Sequence, residues 1–233
     1  MSFNVESYFS DLSGGNPILY YKGNIDSDLI NKVLDTVEEK LISSNEHPRL
    51  RKRVYNVLVE SLQNLYECLA GQPAFALLRP PGHHASAGSC WGFCFFNNMA
   101  VAIEALKQQG RIRSAYILDI DLHFGDGTEN ILGRKSYVSI HNPGSNDREA
   151  YLQEVERELE RFPADLIGIS AGFDNHRQDW GGLLRTDDYF AMGRMVRDAA
   201  RRNNGGCFAV LEGGYNEDVL GQNALALING LSP

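Results

Sequence analysis

Asp119-Ile120-Asp121-Leu122-His123-Phe124-Gly125-Asp126-Gly127 follows the apolar run Ala115-Tyr116-Ile117-Leu118, and this junction decides how the chain is read. A short continuous apolar run reads as a strand buried on both faces, and Ser114 to Asp119 is assigned as one. Asp121 and His123 are two residues apart, so in an extended segment their side chains leave the same side and can meet one ion past the strand end. Asp119 adds a third acidic group to an otherwise apolar strand end, where uncompensated carboxylates are costly unless cations are present.

The same pattern recurs outward from this stretch. Apolar runs at Ala74–Leu78, Tyr137–His141, Leu166–Ala171 and Cys207–Leu211 read as further strands. Helical patterns lie between them at Asn97–Gln109, Asp147–Phe162 and Thr186–Asn203, with a last helix at Glu217–Ile228. Thr186, followed by Asp187 and Asp188, reads as the cap of the third helix. Strands alternating with helices imply an α/β fold with a parallel sheet covered on both faces. His83, Asp121, His141, Asp174 and Tyr215 all fall at or beyond strand C-terminal ends, where ligand sites of parallel sheets collect.

Each cluster has a chemical reading. Asp174 with Asp121 and His123 makes two carboxylates and one imidazole, leaving an open position for water and a substrate carbonyl, as a catalytic zinc site requires. The donor set also admits Fe(II) or Co(II). His83 and His84 follow the stiff Pro80-Pro81-Gly82 turn and suit proton transfer near neutral pH, with Asp119 and Asp126 as partners that fix the imidazole tautomers. Tyr215, after Gly213-Gly214, can bring a phenol to a developing oxyanion. Gly92 and Phe93 can wall a narrow apolar channel suited to a linear acyl-amine chain.

Composition limits the alternatives. The 233 residues are 43% hydrophobic and 22% charged, enough to bury a core, and disorder is a poor reading. Twenty-two Lys and Arg against 30 Asp and Glu give a net charge of −8, which disfavours direct nucleic-acid binding. No segment approaches the roughly 20 apolar residues of a membrane span, and the start lacks a leader pattern, so a cytoplasmic protein without membrane attachment is expected. Cys68, Cys90, Cys94 and Cys207 include no C-x-x-C pair and read as buried reduced thiols. The oligomeric state is open.

The segments RPPGHHA, GFCFFNN, DIDLHFGDGT, SIHN, SAGFDNHRQD and LEGGYN, in that order from about Gln72 to Gly230, resemble the histone deacetylase and acetylpolyamine amidohydrolase superfamily in its class II-like, prokaryotic branch. The resemblance implies an arginase/deacetylase α/β fold and a zinc-dependent amidohydrolase removing acetyl groups from acetyl-lysine or acetylpolyamine substrates by metal-activated water. On matching positions it implies zinc ligation by Asp121, His123 and Asp174. It makes His84 the principal general base and acid and His83 its electrostatic helper. Tyr215 would polarise the acetyl carbonyl, Asp119 and Asp126 would orient the histidines, and Gly92 and Phe93 would border the substrate. A potassium ion near the zinc would involve Asp119 and Ser139. His123-Phe124 replaces the family's His-His at a position that is not a ligand.

Residues 1–70 read differently. A strand at Pro17–Tyr21 and helices at Asp26–Ile42 and Arg49–Ala70 suggest an atypical, mainly helical segment before a catalytic domain at 71–233. His47-Pro48-Arg49 only faintly matches the family's early His-Pro-Glu turn, so this part of the fold is expected to be shortened or replaced. A protein that keeps the metal site but turns over poorly for lack of a substrate rim is therefore the alternative reading, beside a hydrolase of another acylated amine. Val54–Cys68, with Glu60 and Asn64, weakly resembles the N box of GHKL-type ATP-binding kinases, and the segment before it the start of a SiaB-like kinase domain. An amphipathic helix burying Val57, Leu58, Leu62 and Leu65 is the preferred reading there.

Overall fold

The computed structural model describes residues 74–232. In this part five strands alternate with helices: β1 (Ala74–Ala76), α1 (Asn98–Gln108), β2 (Ala115–Asp119), α2 (Asp126–Leu132), β3 (Val138–His141), α3 (Arg148–Arg161), β4 (Leu166–Ala171), α4 (Thr186–Arg202), β5 (Gly206–Leu211) and α5 (Glu217–Leu231). Every strand pairing is parallel, in the order β1-β5-β4-β2-β3. The expected α/β architecture with an all-parallel sheet is therefore present.

β2 and β4 are buried along their whole length, which is why they read as continuous apolar runs. Alternate residues serve two cores. Tyr116, Leu118, Ile167, Ile169, Cys207 and Ala209 pack with Tyr151 and Val155 of α3, Met192 and Val196 of α4 and Leu227 of α5. Gly168, of the other parity, faces Met99 of α1. A Cβ on Gly168 would come within 2.6 Å of Met99 Sδ, so glycine lets the helix lie close to the sheet.

The strand order explains where a site can form. The chain leaves β2 toward β3 on one side and leaves β4 toward β5 on the other. Neighbouring strands that send the chain in opposite directions open a crevice at their carboxyl ends. Asp121 and His123 follow β2, and Asp174 follows β4.

Several sequence expectations are corrected. β1 is three residues long, because the backbone turns at once: Leu78 N–H donates to Ala76 O at 2.9 Å, and Leu77 is exposed. The helix α2 was not expected, and α5 continues to Leu231. Thr186 is the first residue of α4 and not its cap. The Arg185 N–H donates to Asp188 Oδ2 at 2.7 Å, while Thr186 Oγ1 donates to Asn223. Cys94 and Cys207 are buried as expected, but Cys90 is exposed. Among the described residues no helix is long and apolar enough to cross a membrane. The expectations for residues 1–70, including Glu60, Asn64 and Cys68, lie outside the described residues.

Candidate active site

The segment after β2 turns Asp121 and His123 toward Asp174, and one donor atom from each lies within 4.8 Å of the others. His123 Nδ1 is 3.1 Å from Asp121 Oδ1 and 3.0 Å from Asp174 Oδ2. Asp174 is fully buried, and its Oδ2, although close to His123 Nδ1, is not aligned with it for a hydrogen bond. A buried carboxylate oxygen left open toward a second carboxylate and an imidazole fits a divalent cation. Burial, followed by the Asp121 charge, pushes the Asp174 carboxyl up to about 7; a bound cation would reverse this. The backbone leaves room for the group: a Cβ on Gly213 would fall 2.5 Å from Asp121 Oδ2 and 2.9 Å from Asp174 Cγ. Gly213 N–H instead donates to Asp121 Oδ2 at 2.8 Å.

Two histidine–aspartate pairs stand beside this triad. His83 Nδ1 lies 3.1 Å from Asp119 Oδ2, and His84 Nδ1 lies 2.6 Å from Asp126 Oδ1. The pairs diverge electrostatically although the rings are 4.0 Å apart. Burial works against a charge on His83, but the Asp119 carboxylate, helped by Asp121 and Glu212, outweighs it and raises the imidazole to about 10. Burial and the adjacent His83 charge hold His84 below its ordinary value, against the pull of Asp126. One ring is thus suited to carry a charge and the other to accept a proton.

The loop bearing these histidines leaves the edge strand β1, yet it is drawn inward. Glu212, fully buried at the end of β5, accepts the N–H groups of Gly82 at 2.7 Å and His83 at 3.1 Å. Arg79 Nη1 donates to the Glu212 carbonyl at 2.6 Å and Nη2 to that of Gly214 at 3.2 Å. Tyr215 is seated from below: its N–H and that of Asn216 both donate to Asp179 Oδ2 at 2.8 Å. Phe93, at φ 65°, is exposed, and its ring centroid is 6.5 Å from that of Tyr215. Gly92 before it also has positive φ, at 57°.

Not every expected residue joins this group. Ser139 pairs in register with Tyr116, three positions before Asp119, and lines a recess with Tyr137 and Phe162. His141, also at a strand end, faces Glu154 at 3.1 Å. Sequence reading assigned no part to Glu212, Asp179 or Trp180. A carboxylate closing an apolar strand, as Val210-Leu211-Glu212 does, was the available signal for the first; the others carried none beyond their place in a motif.

Comparison with known proteins fits this geometry. The profile of the histone deacetylase domain family matches residues 35–151 and 142–231, beginning within the segment whose sequence reads as atypical. A histone deacetylase-like amidohydrolase of Pseudomonas aeruginosa is 38% identical over 204 residues, covering 70% of this chain and 54% of the relative. The acetylpolyamine amidohydrolase 2 of the same organism is 31% identical over 194 residues, covering 67% and 55%. The chain thus spans about half the length of these two relatives. Among solved structures, the acetylpolyamine aminohydrolase of Burkholderia pseudomallei superposes with a TM-score of 0.63 at 26% identity, covering 76% of this chain and 61% of that one.

Proposed function

The chain belongs to the histone deacetylase family, and from that premise we propose that it is a metal-dependent amidohydrolase releasing acetate from acetylated amines of the acetyl-lysine or acetylpolyamine class. One observation carries the reading: a cation-fitting triad, two histidine–aspartate pairs and a phenol meet at the crevice between β2 and β4. Asp121, His123 and Asp174 would hold the ion, zinc by preference. When bound, it supplies Lewis-acid polarisation and a water of lowered pKa.

The protein groups divide the remaining work. With Nδ1 engaged by Asp126, His84 has Nε2 free to accept a proton from water and later return it to the departing amine. His83, its charge held by Asp119, adds a fixed positive field beside it. The Tyr215 hydroxyl donates to the oxygen that becomes negative as the carbonyl turns tetrahedral. Phe93 borders the incoming chain. Because Ser139 lies apart from Asp119, the proposal includes no potassium site.

The test is acetate release from a panel of acetyl-lysine peptides and acetylated polyamines by metal-loaded full-length protein. Chelator-sensitive release, abolished by His84→Ala and by Asp174→Ala, is expected. Release that survives both substitutions would overturn the assignment.

A further inference from the structure

Resting on the deacetylase reading, we propose that Trp91 and Trp180 are positioning residues that hold the His84 imidazole and the Tyr215 phenol in their working orientations. The chain contains 2 tryptophans, and both lie at this site. Each lies nearly flat on one of the two groups that handle protons or negative charge in the proposed reaction. The Trp91 ring is 3.8 Å from His84 at 28°, and the Trp180 ring is 3.9 Å from Tyr215 at 16°. Trp180 also meets His123 edge-on at 6.0 Å.

The two contacts share a construction in which an aspartate ties the tryptophan to the group it covers. Trp91 Nε1–H donates to Asp126 Oδ2 at 2.9 Å, while the other oxygen of that carboxylate holds His84 at 2.6 Å. The Trp180 backbone N–H donates to Asp179 Oδ1 at 2.8 Å, while Asp179 Oδ2 holds the Tyr215 backbone. A core role does not account for these rings, because Trp91 is 54% and Trp180 61% exposed. Rings placed in the open, each with one face against a functional side chain, suit orientation better than burial. Stacked aromatic pairs contribute enough to favour one side-chain orientation over the alternatives.

The test compares Trp91→Phe, Trp91→Ala, Trp180→Phe and Trp180→Ala. Alanine at either position is expected to lower kcat about tenfold or more with KM within about threefold. Phenylalanine should restore most of kcat at position 180, and only part at 91, where the bond to Asp126 is lost. A rise in KM at unchanged kcat would assign the rings to substrate binding and overturn the proposal. A second reading is independent of turnover. In Trp180→Phe, Trp91 is the remaining tryptophan, and its emission should change when His84→Ala removes the stacked imidazole. Unchanged emission overturns the proposal, whereas an emission change on removal of His84, with the parent protein that keeps His84 releasing no acetate, supports the stacking and removes the deacetylase reading alone.

Discussion

Replacing Glu212 with alanine is expected to damage both folding and turnover, and replacing it with glutamine to damage neither much. Glu212 Oε2 accepts two backbone N–H groups, from Gly82 at 2.7 Å and His83 at 3.1 Å, in a fully buried setting. Leaving a buried donor without its acceptor costs about 1–3 kcal/mol, so two give about 2–6 kcal/mol. Loop relaxation and water entry return part of this, which places the alanine variant at roughly 3–4 kcal/mol of lost stability. The freed loop carries both histidines, and a displacement of about 1 Å at such groups costs on the order of a hundredfold in rate. Glutamine keeps an acceptor oxygen. Burial, with the Asp119 charge adding to it, pushes the Glu212 carboxyl up to about 7 against the opposing pull of His83 and the two N–H groups. An acid raised in this way opposes folding when ionised, so the neutral isostere should stay within about 1 kcal/mol of the parent. Urea unfolding analysed by linear extrapolation gives the stabilities, and steady-state kinetics on an acetylated substrate give kcat/KM. An alanine variant losing under about 1 kcal/mol, or a glutamine variant as damaged as the alanine one, would refute the reasoning.

Other perturbations should respond in their own ways. Phe93 is exposed yet sits at φ 65°, a left-handed conformation costing a side-chain-bearing residue about 1–2 kcal/mol. Phe93→Gly should therefore hold or raise the urea midpoint while raising KM, and a lowered midpoint would contradict this. Tyr215→Phe keeps the ring against Trp180 but removes the hydroxyl, and a loss of about a hundredfold or more in kcat at unchanged stability is expected. Far from the site, hydrogen bonds from the Arg113 side chain and backbone hold the Asp165 carboxyl down to about 2. A depressed carboxyl stabilises the fold above its ordinary value near 4, and the contribution is lost as pH falls toward 2. Asp165→Asn should flatten the stability curve in that window, as read by thermal unfolding at several pH values.

How far the sequence could carry the reading depended on whether a feature was local. β2 and β4 were legible because strands buried on both faces are written as unbroken apolar runs, and Asp121, His123 and Asp174 because they follow those runs at once. The two histidine–aspartate pairings were also within reach, since each carboxylate belongs to the same short motif as the metal-type residues. α2 escaped because its seven residues begin beside two glycines and show no helical period of apolar side chains. The cap of α4 was misplaced because Asp188, three residues into the sequence pattern, reaches back to Arg185 and leaves Thr186 free to bond Asn223. Glu212 and Trp180 were illegible for a different reason. Their partners are distant in the chain: Glu212 is 129 positions from His83, and Trp180 meets Tyr215 across α4 and β5, where the neighbouring Asp179 accepts the Tyr215 N–H from 36 positions away.

The central claim is that Asp121, His123 and Asp174 hold a divalent ion that the rest of the site uses to release acetate. Elemental analysis of full-length protein, paired with acetate measurement on the same preparation, tests it most directly. The account expects one divalent ion per chain, lost in Asp174→Asn together with acetate release. A protein that binds no divalent ion when supplied with zinc, or one whose Asp174→Asn variant keeps both ion and turnover, would contradict it.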